Sequence, residues 1–180
     1  MQISSKKRNK IGILGGTFDP PHIGHLYISK IALKKLKLKK LIWIITKKNP
    51  LKQKPYLSSK TRIKLSKYIT KKEKKIFVRY FGDKIKSENS FDLLNYLNKK
   101  NSKSKLFFLM GADNLVQFHK WKNWKKISKL AKIVIFARTK YSIKALNSIA
   151  AKKLNKNEWI YINSKKMNIS SSLIRKFSIT

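Results

Sequence analysis

Two of the chain's three histidines stand in one short window, 15–25, which reads GGTFDPPHIGH. Gly15 and Gly16 let the backbone come close to a ligand, and Asp19-Pro20-Pro21 sets a turn. His22 and His25 then flank Ile23-Gly24, where a long helix is predicted to begin. A helix N-terminus presents free backbone N–H groups and the positive end of the helix dipole, so it favours an anion. Two imidazole donors beside it make a phosphate site. The blander alternative is a turn shaped by Gly-Gly and Pro-Pro, with the histidines incidental to it. The window is neither a GxGxxG dinucleotide fingerprint nor a GxxxxGK[ST] phosphate loop.

Such a window needs a rigid frame. Short apolar runs at 10–14, 41–46, 75–80, 105–110, 131–137 and 159–162 predict strands. Apolar residues spaced among lysines predict helices at 24–38, 58–70, 90–97, 114–130 and 142–154, with a short terminal helix from Ser170. Segment 47–57 carries two prolines and reads as a loop. Near-continuous apolar strands alternating with helices predict an α/β fold, a mainly parallel sheet with helices on both faces. At 180 residues, with no internal repeat or linker, a single domain over 1–180 is expected. Ligands of such sheets bind beyond the carboxyl ends of the strands. That singles out window 15–25, TKKNPLK after the second strand, GADNL after the fourth and ART after the fifth.

Composition narrows the class. The chain has 45 Lys+Arg against 7 Asp+Glu, a net charge of +38, and 42% hydrophobic residues. Of the basic residues 40 are Lys and only 5 are Arg, alongside 23 Ile and 13 Asn. Residues with A/T-rich codons are thus favoured throughout, so the charge reads as genomic bias on a solvated surface. Specific nucleic-acid contacts favour Arg, so no specific nucleic-acid partner is expected. The positive field still draws anionic ligands. Without cysteine there are no disulfides or thiolate metal sites. No apolar run approaches a membrane span, and the N-terminus lacks a signal-peptide core. A cytoplasmic protein with no membrane partner is expected.

The window Gly15-Gly16-Thr17-Phe18-Asp19-Pro20-Pro21-His22-Ile23-Gly24-His25 resembles the (T/H)xGH signature of the nucleotidylyltransferase superfamily. Far along the chain, Ile169-Ser170-Ser171-Ser172-Leu173-Ile174-Arg175 resembles that superfamily's ISSTxIR signature. Within it the chain is most similar to the bacterial nicotinate-nucleotide adenylyltransferases. Gly111-Ala112-Asp113-Asn114-Leu115, followed by Phe118 and Trp121, resembles their GxDxL…FxxW segment, and Asn49-Pro50-Leu51-Lys52 their loop after the second strand. The resemblance spans nearly the whole chain. It implies a Rossmann-like fold and transfer of AMP from ATP to nicotinate mononucleotide, giving a deamido precursor of NAD.

The resemblance also distributes roles. His22 and His25 are the implied catalytic pair. Gly15, Gly16, Thr17, Phe18, Asp113, Arg138, Ile169, Ser170, Ser171 and Arg175 are implied at the ATP site. Asn49, Lys52, Ser90 and Trp121 are implied at the acceptor. Several have a second reading. Asp113 accepts a ribose hydroxyl or caps a helix. Trp121 stacks on a pyridinium ring or joins the core, where Trp124 is expected. Lys52 is one lysine among many. The serines before Arg175 are a helix cap or, with its guanidinium, donors for a triphosphate. His119 has no evident task. The family's pyridine segment, Y-T-x-D-T-L, aligns with Asn89-Ser90-Phe91-Asp92-Leu93-Leu94. Asn89 and Leu93 depart from it, and Asp92 is expected to point away from the ring.

The attacking phosphate oxygen is already ionised, so alignment and charge neutralisation suffice and no strong base is needed. No dedicated metal ligands are expected; Mg²⁺ arrives with ATP, held by phosphates and waters. Two other functions share some of these features. A phosphopantetheine adenylyltransferase carries both signatures but usually has Thr where His22 stands. A basic nucleic-acid-binding protein would account for the charge but for neither signature. Oligomeric state is not legible.

Overall fold

The computed structural model describes residues 8–48, 54–85, 87–138, 141–163 and 169–177. Asn49 and Lys52 lie outside the described residues.

Six strands form one wholly parallel sheet: β1 (Asn9–Gly16), β2 (Lys40–Ile45), β3 (Ile76–Tyr80), β4 (Ser104–Gly111), β5 (Lys132–Phe136) and β6 (Trp159–Ile162). Their order is β3-β2-β1-β4-β5-β6. This is the doubly wound order, in which the winding reverses between β1 and β4. The described helices are α1 (Ile23–Lys35), α2 (Ser59–Thr70), α3 (Gly82–Ile85), α4 (Ser90–Lys100), α5 (Ala112–Gln117), α6 (Trp124–Leu130), α7 (Ser142–Leu146), α8 (Ile149–Lys153) and α9 (Ser171–Phe177). A 3-10 turn, Phe118–Lys120, follows α5.

The sheet is buried on both faces because its strands are apolar at consecutive positions, while their side chains alternate. In β4, Leu106, Phe108 and Met110 join the layer under α4, α5 and α6, whereas Phe107 and Leu109 join the layer under α1 and α2. Each such side chain contributes roughly 1.5–3 kcal/mol relative to exposure. Gly12 in β1 is needed for close approach. A Cβ there would lie 2.7 Å from Leu38 Cδ1, in the turn that feeds β2.

The architecture matches the expectation, and three element boundaries correct it. The helix expected over 114–130 is broken: Trp121 is extended, and Asn123 takes a left-handed φ of 53° before α6 starts. Asn tolerates that region better than other non-glycine residues. The helix expected over 142–154 is two short helices, because Ser148 turns extended and accepts the Ala151 N–H at 3.2 Å. A serine able to cap offers the backbone this alternative to a continuous helix. Finally, α3 follows β3 where no helix was expected.

Candidate active site

The two histidines form the cap of α1. His22 is extended at the N-cap, and its Nδ1 accepts the Gly24 N–H at 3.1 Å. His25 returns the arrangement: its Nδ1 accepts the His22 backbone N–H at 3.2 Å. The two rings lie 3.8 Å apart between centroids. Since each Nδ1 is an acceptor, each neutral ring carries its proton on Nε2, which leaves Nε2–H as the free donor. Burial, then the Arg138 charge, lowers the His22 pKa to about 4. Burial, the neighbouring His22 and Arg138 hold His25 well below the usual histidine value. Near neutral pH both rings are therefore neutral donors.

Behind this pair the wall is rigid. Phe18, at a left-handed φ of 50°, lies 4.7 Å from the His25 ring and stacks on Trp43 at 4.9 Å. Trp43 Nε1 donates to Ser29 Oγ at 2.8 Å, and Ser29 Oγ donates to the His25 carbonyl at 2.7 Å. Trp43 and Ser29 are fully buried, so these bonds fix the first turn of α1 against β2.

Asp19 organises the loop between β1 and α1. Its carboxylate accepts the Tyr56 and Leu57 N–H groups at 2.7 and 2.8 Å. Arg175 Nη1 donates to the Asp19 carbonyl and lies 3.5 Å from Asp19 Oδ2. Ser171 Oγ donates to the Pro20 carbonyl at 2.8 Å. The terminal helix is thus tied to the first loop across more than 150 residues of sequence.

Arg62, only 1% exposed, completes this frame. Its Nη1 donates to the carbonyls of Thr17 and Thr46 at 2.5 and 2.7 Å. Its Nη2 donates to the Lys47 carbonyl at 3.1 Å and Ser59 Oγ at 2.9 Å, and its Nε to the Leu57 carbonyl at 3.0 Å. One guanidinium therefore binds together the loops that leave β1 and β2 and the entry to α2.

Across the cleft, Arg138 Nη1 donates to Asp113 Oδ2 at 2.9 Å. Asp113 Oδ1 is buried without a hydrogen-bond partner. Such an acceptor calls for a ligand donor, such as a ribose hydroxyl. Gly111 makes the room, because a Cβ there would meet Asp113 Oδ1 at 2.4 Å.

Ser90 opens α4, behind Asn89, which makes no side-chain cap. Asp92 is held by its neighbours: its Oδ2 accepts from Ser87 Oγ at 2.6 Å and lies 3.6 Å from Lys122 Nζ. Trp121 stands edge-on to Phe108 and Phe118 at 6.3 and 5.3 Å between centroids. Trp124 packs on Phe118 and the core.

The two histidines, Asp19, Ser90, Asp113, Trp121, Arg138, Ser171 and Arg175 all line one cavity of about 1000 Å³. It opens past the ends of β1, β4 and β5, at the reversal point of the sheet. Every described residue assigned to the site from sequence lines it: Gly15, Gly16, Thr17, Phe18, His22 and His25 from the first window, then Ser90, Asp113, Trp121 and Arg138, then Ile169, Ser170, Ser171 and Arg175. His119 does not line it. Sequence reasoning missed Lys48, Tyr56, Glu88 and Lys122, which also line it, and the Arg62 clamp behind it. The only sequence signal for Arg62 is an arginine standing where every other basic residue of its helix is lysine.

The cytidylyltransferase-like family matches residues 13–177 of the chain. A probable nicotinate-nucleotide adenylyltransferase of Pelagibacter ubique is 50% identical over 172 residues, which is 96% of this chain and 95% of that protein. A protein of the same description from a Ruegeria species is 34% identical over 92% of this chain and 96% of its own length. Plasmodium falciparum nicotinic acid mononucleotide adenylyltransferase, solved in complex with NaAD, has the same fold. Its TM-score is 0.76 at 23% identity, over 94% of this chain and 83% of that one.

Proposed function

This chain belongs to the cytidylyltransferase-like family, alongside its nicotinate-nucleotide adenylyltransferases, and from that membership we infer that it is a nucleotidyltransferase of NAD biosynthesis. It transfers AMP from ATP to nicotinate mononucleotide, releasing pyrophosphate and nicotinate adenine dinucleotide. The observation that carries this reading is the meeting of the two signature segments: Ser171 and Arg175 bond the loop that leads into His22 and His25. Neither the phosphopantetheine reading nor a binding-only reading agrees with relatives of this description.

In the reaction a phosphate oxygen of the acceptor attacks the α-phosphorus of ATP, and the bond to the bridging oxygen of pyrophosphate breaks. The nucleophile is already an anion, so no side chain has to remove a proton. His25, and His22 beside it, donate Nε2–H to the non-bridging oxygens as charge develops there. Their neutrality suits donors that meet an anion without a competing counter-ion. Ser170, Ser171 and Arg175 hold the polyphosphate, and Arg138 adds positive charge near it. Asp113 accepts a ribose hydroxyl of the adenosine through Oδ1. Trp121 offers its face to the cationic pyridine ring, and Ser90 its hydroxyl to the ring carboxylate.

The nucleotide substrate is MgATP. The cavity carboxylates suit a metal carried by phosphates rather than one held by the protein, since Asp19, Asp113 and Glu88 each already face N–H groups or cations. Among the described residues no helix is long and apolar enough to cross a membrane. We place the enzyme's work in the cytoplasm on its nucleotide substrates. Label carried on the α-phosphate of ATP should appear in the dinucleotide, and label on the γ-phosphate in pyrophosphate. Retention of α-label in ATP with every acceptor would overturn the reading.

A further inference from the structure

Two carboxylates bracket Ser90, and each is covered by a lysine from a different loop. Glu88 lines the cavity, and its Oε2 lies 3.6 Å from Lys48 Nζ, just beyond the end of β2. Asp92 lies two residues beyond Ser90 on α4, and its Oδ2 is 3.6 Å from Lys122 Nζ, next to Trp121. Ser87 Oγ donates to that same Oδ2 at 2.6 Å and accepts the Asn89 N–H at 3.2 Å, so the Asp92 carboxylate is held on the Lys122 side. Both lysines line the cavity.

These pairs are half-exposed, with lysine side chains 55% and 57% accessible. Exposed pairs of this kind do little for stability. Their effect on a ligand is larger. An acceptor ring lodged between Trp121 and Ser90 has the Glu88 carboxylate on the cavity wall and the Asp92 carboxylate behind Lys122, and both repel a ring carboxylate while being indifferent to a neutral amide. The cavity walls focus such a field.

We propose that Lys48 and Lys122 are specificity-determining residues: by neutralising Glu88 and Asp92 they let the pocket accept a pyridine nucleotide whose ring is a carboxylate. This rests on the reading that nicotinate mononucleotide is the acceptor, with its ring between Trp121 and Ser90. Turnover of the wild-type enzyme with that acceptor tests the reading separately from the proposal.

The test measures kcat/KM for nicotinate and nicotinamide mononucleotides with saturating MgATP. Lys122→Met and Lys48→Met should each lower the acid-to-amide ratio by about fivefold, chiefly through KM for the acid. Adding Asp92→Asn to Lys122→Met removes the exposed charge while keeping an acceptor for Ser87. That double variant should return the ratio to within about twofold of wild type. A single variant that slows both acceptors alike, or changes neither, overturns the proposal. So does a double variant whose ratio is no better than that of Lys122→Met alone. A wild-type enzyme inactive with nicotinate mononucleotide would instead count against the proposed function.

Discussion

His22 donates its backbone N–H to Nδ1 of His25, and the two imidazoles lie 3.8 Å apart between centroids, tilted by 38° to one another. That contact makes the cap of α1 and the proposed transfer site one object. It sets the tautomer of each ring and discourages a second proton on either.

His25→Ala should cut kcat by roughly 10²-fold or more, the scale of losing one well-placed transition-state donor. Steady-state kinetics on a variant with native circular dichroism measures it. Near-normal kcat in the folded variant would remove His25 from the chemistry.

The depressed His22 pKa makes stability depend on pH. Its value is 6.5 in the unfolded chain and about 4 in the fold. Between those values the unfolded state binds more protons, so stability is complete above about 6.5 and falls as pH drops toward about 4. The loss from this group approaches ~3 kcal/mol at the acid end. Urea melts across that range should show the slope in the wild type and a shallower one in His22→Asn, which keeps a capping acceptor.

Arg175→Ala should raise KM for MgATP or lower kcat/KM, while the affinity for nicotinate mononucleotide changes little. Acceptor binding by calorimetry and ATP kinetics separate the two. The reverse pattern would assign α9 to the other end of the cavity.

Arg62→Met should destabilise the fold by ~3 kcal/mol or more, because it leaves the carbonyls of Thr17, Thr46, Lys47 and Leu57 without this donor. Denaturant unfolding reads this directly. A loss under ~1 kcal/mol would show that water replaces the guanidinium at little cost.

The strands were legible because a parallel strand buried on both faces is apolar at consecutive positions, as LFFLM in β4 shows. The histidine window was legible because rare residue types coincide there with a helix start. Other features depend on distance in sequence. Arg62 sits in a lysine-rich helix that looks solvated, and its partners Thr17 and Thr46 are 45 and 16 residues away. Asp19 reads as a turn residue until Tyr56 and Leu57 are brought to it. The breaks at Asn123 and Ser148 rest on a left-handed backbone and a local cap, which helical periodicity does not register.

Acceptor preference is the decisive measurement. With MgATP in excess, kcat/KM is measured side by side for nicotinate mononucleotide, nicotinamide mononucleotide and phosphopantetheine. The nicotinate form should be preferred over the nicotinamide form by at least about tenfold, equivalent to ~1.4 kcal/mol, with no turnover of phosphopantetheine. Preference for the amide, or turnover confined to phosphopantetheine, would contradict it.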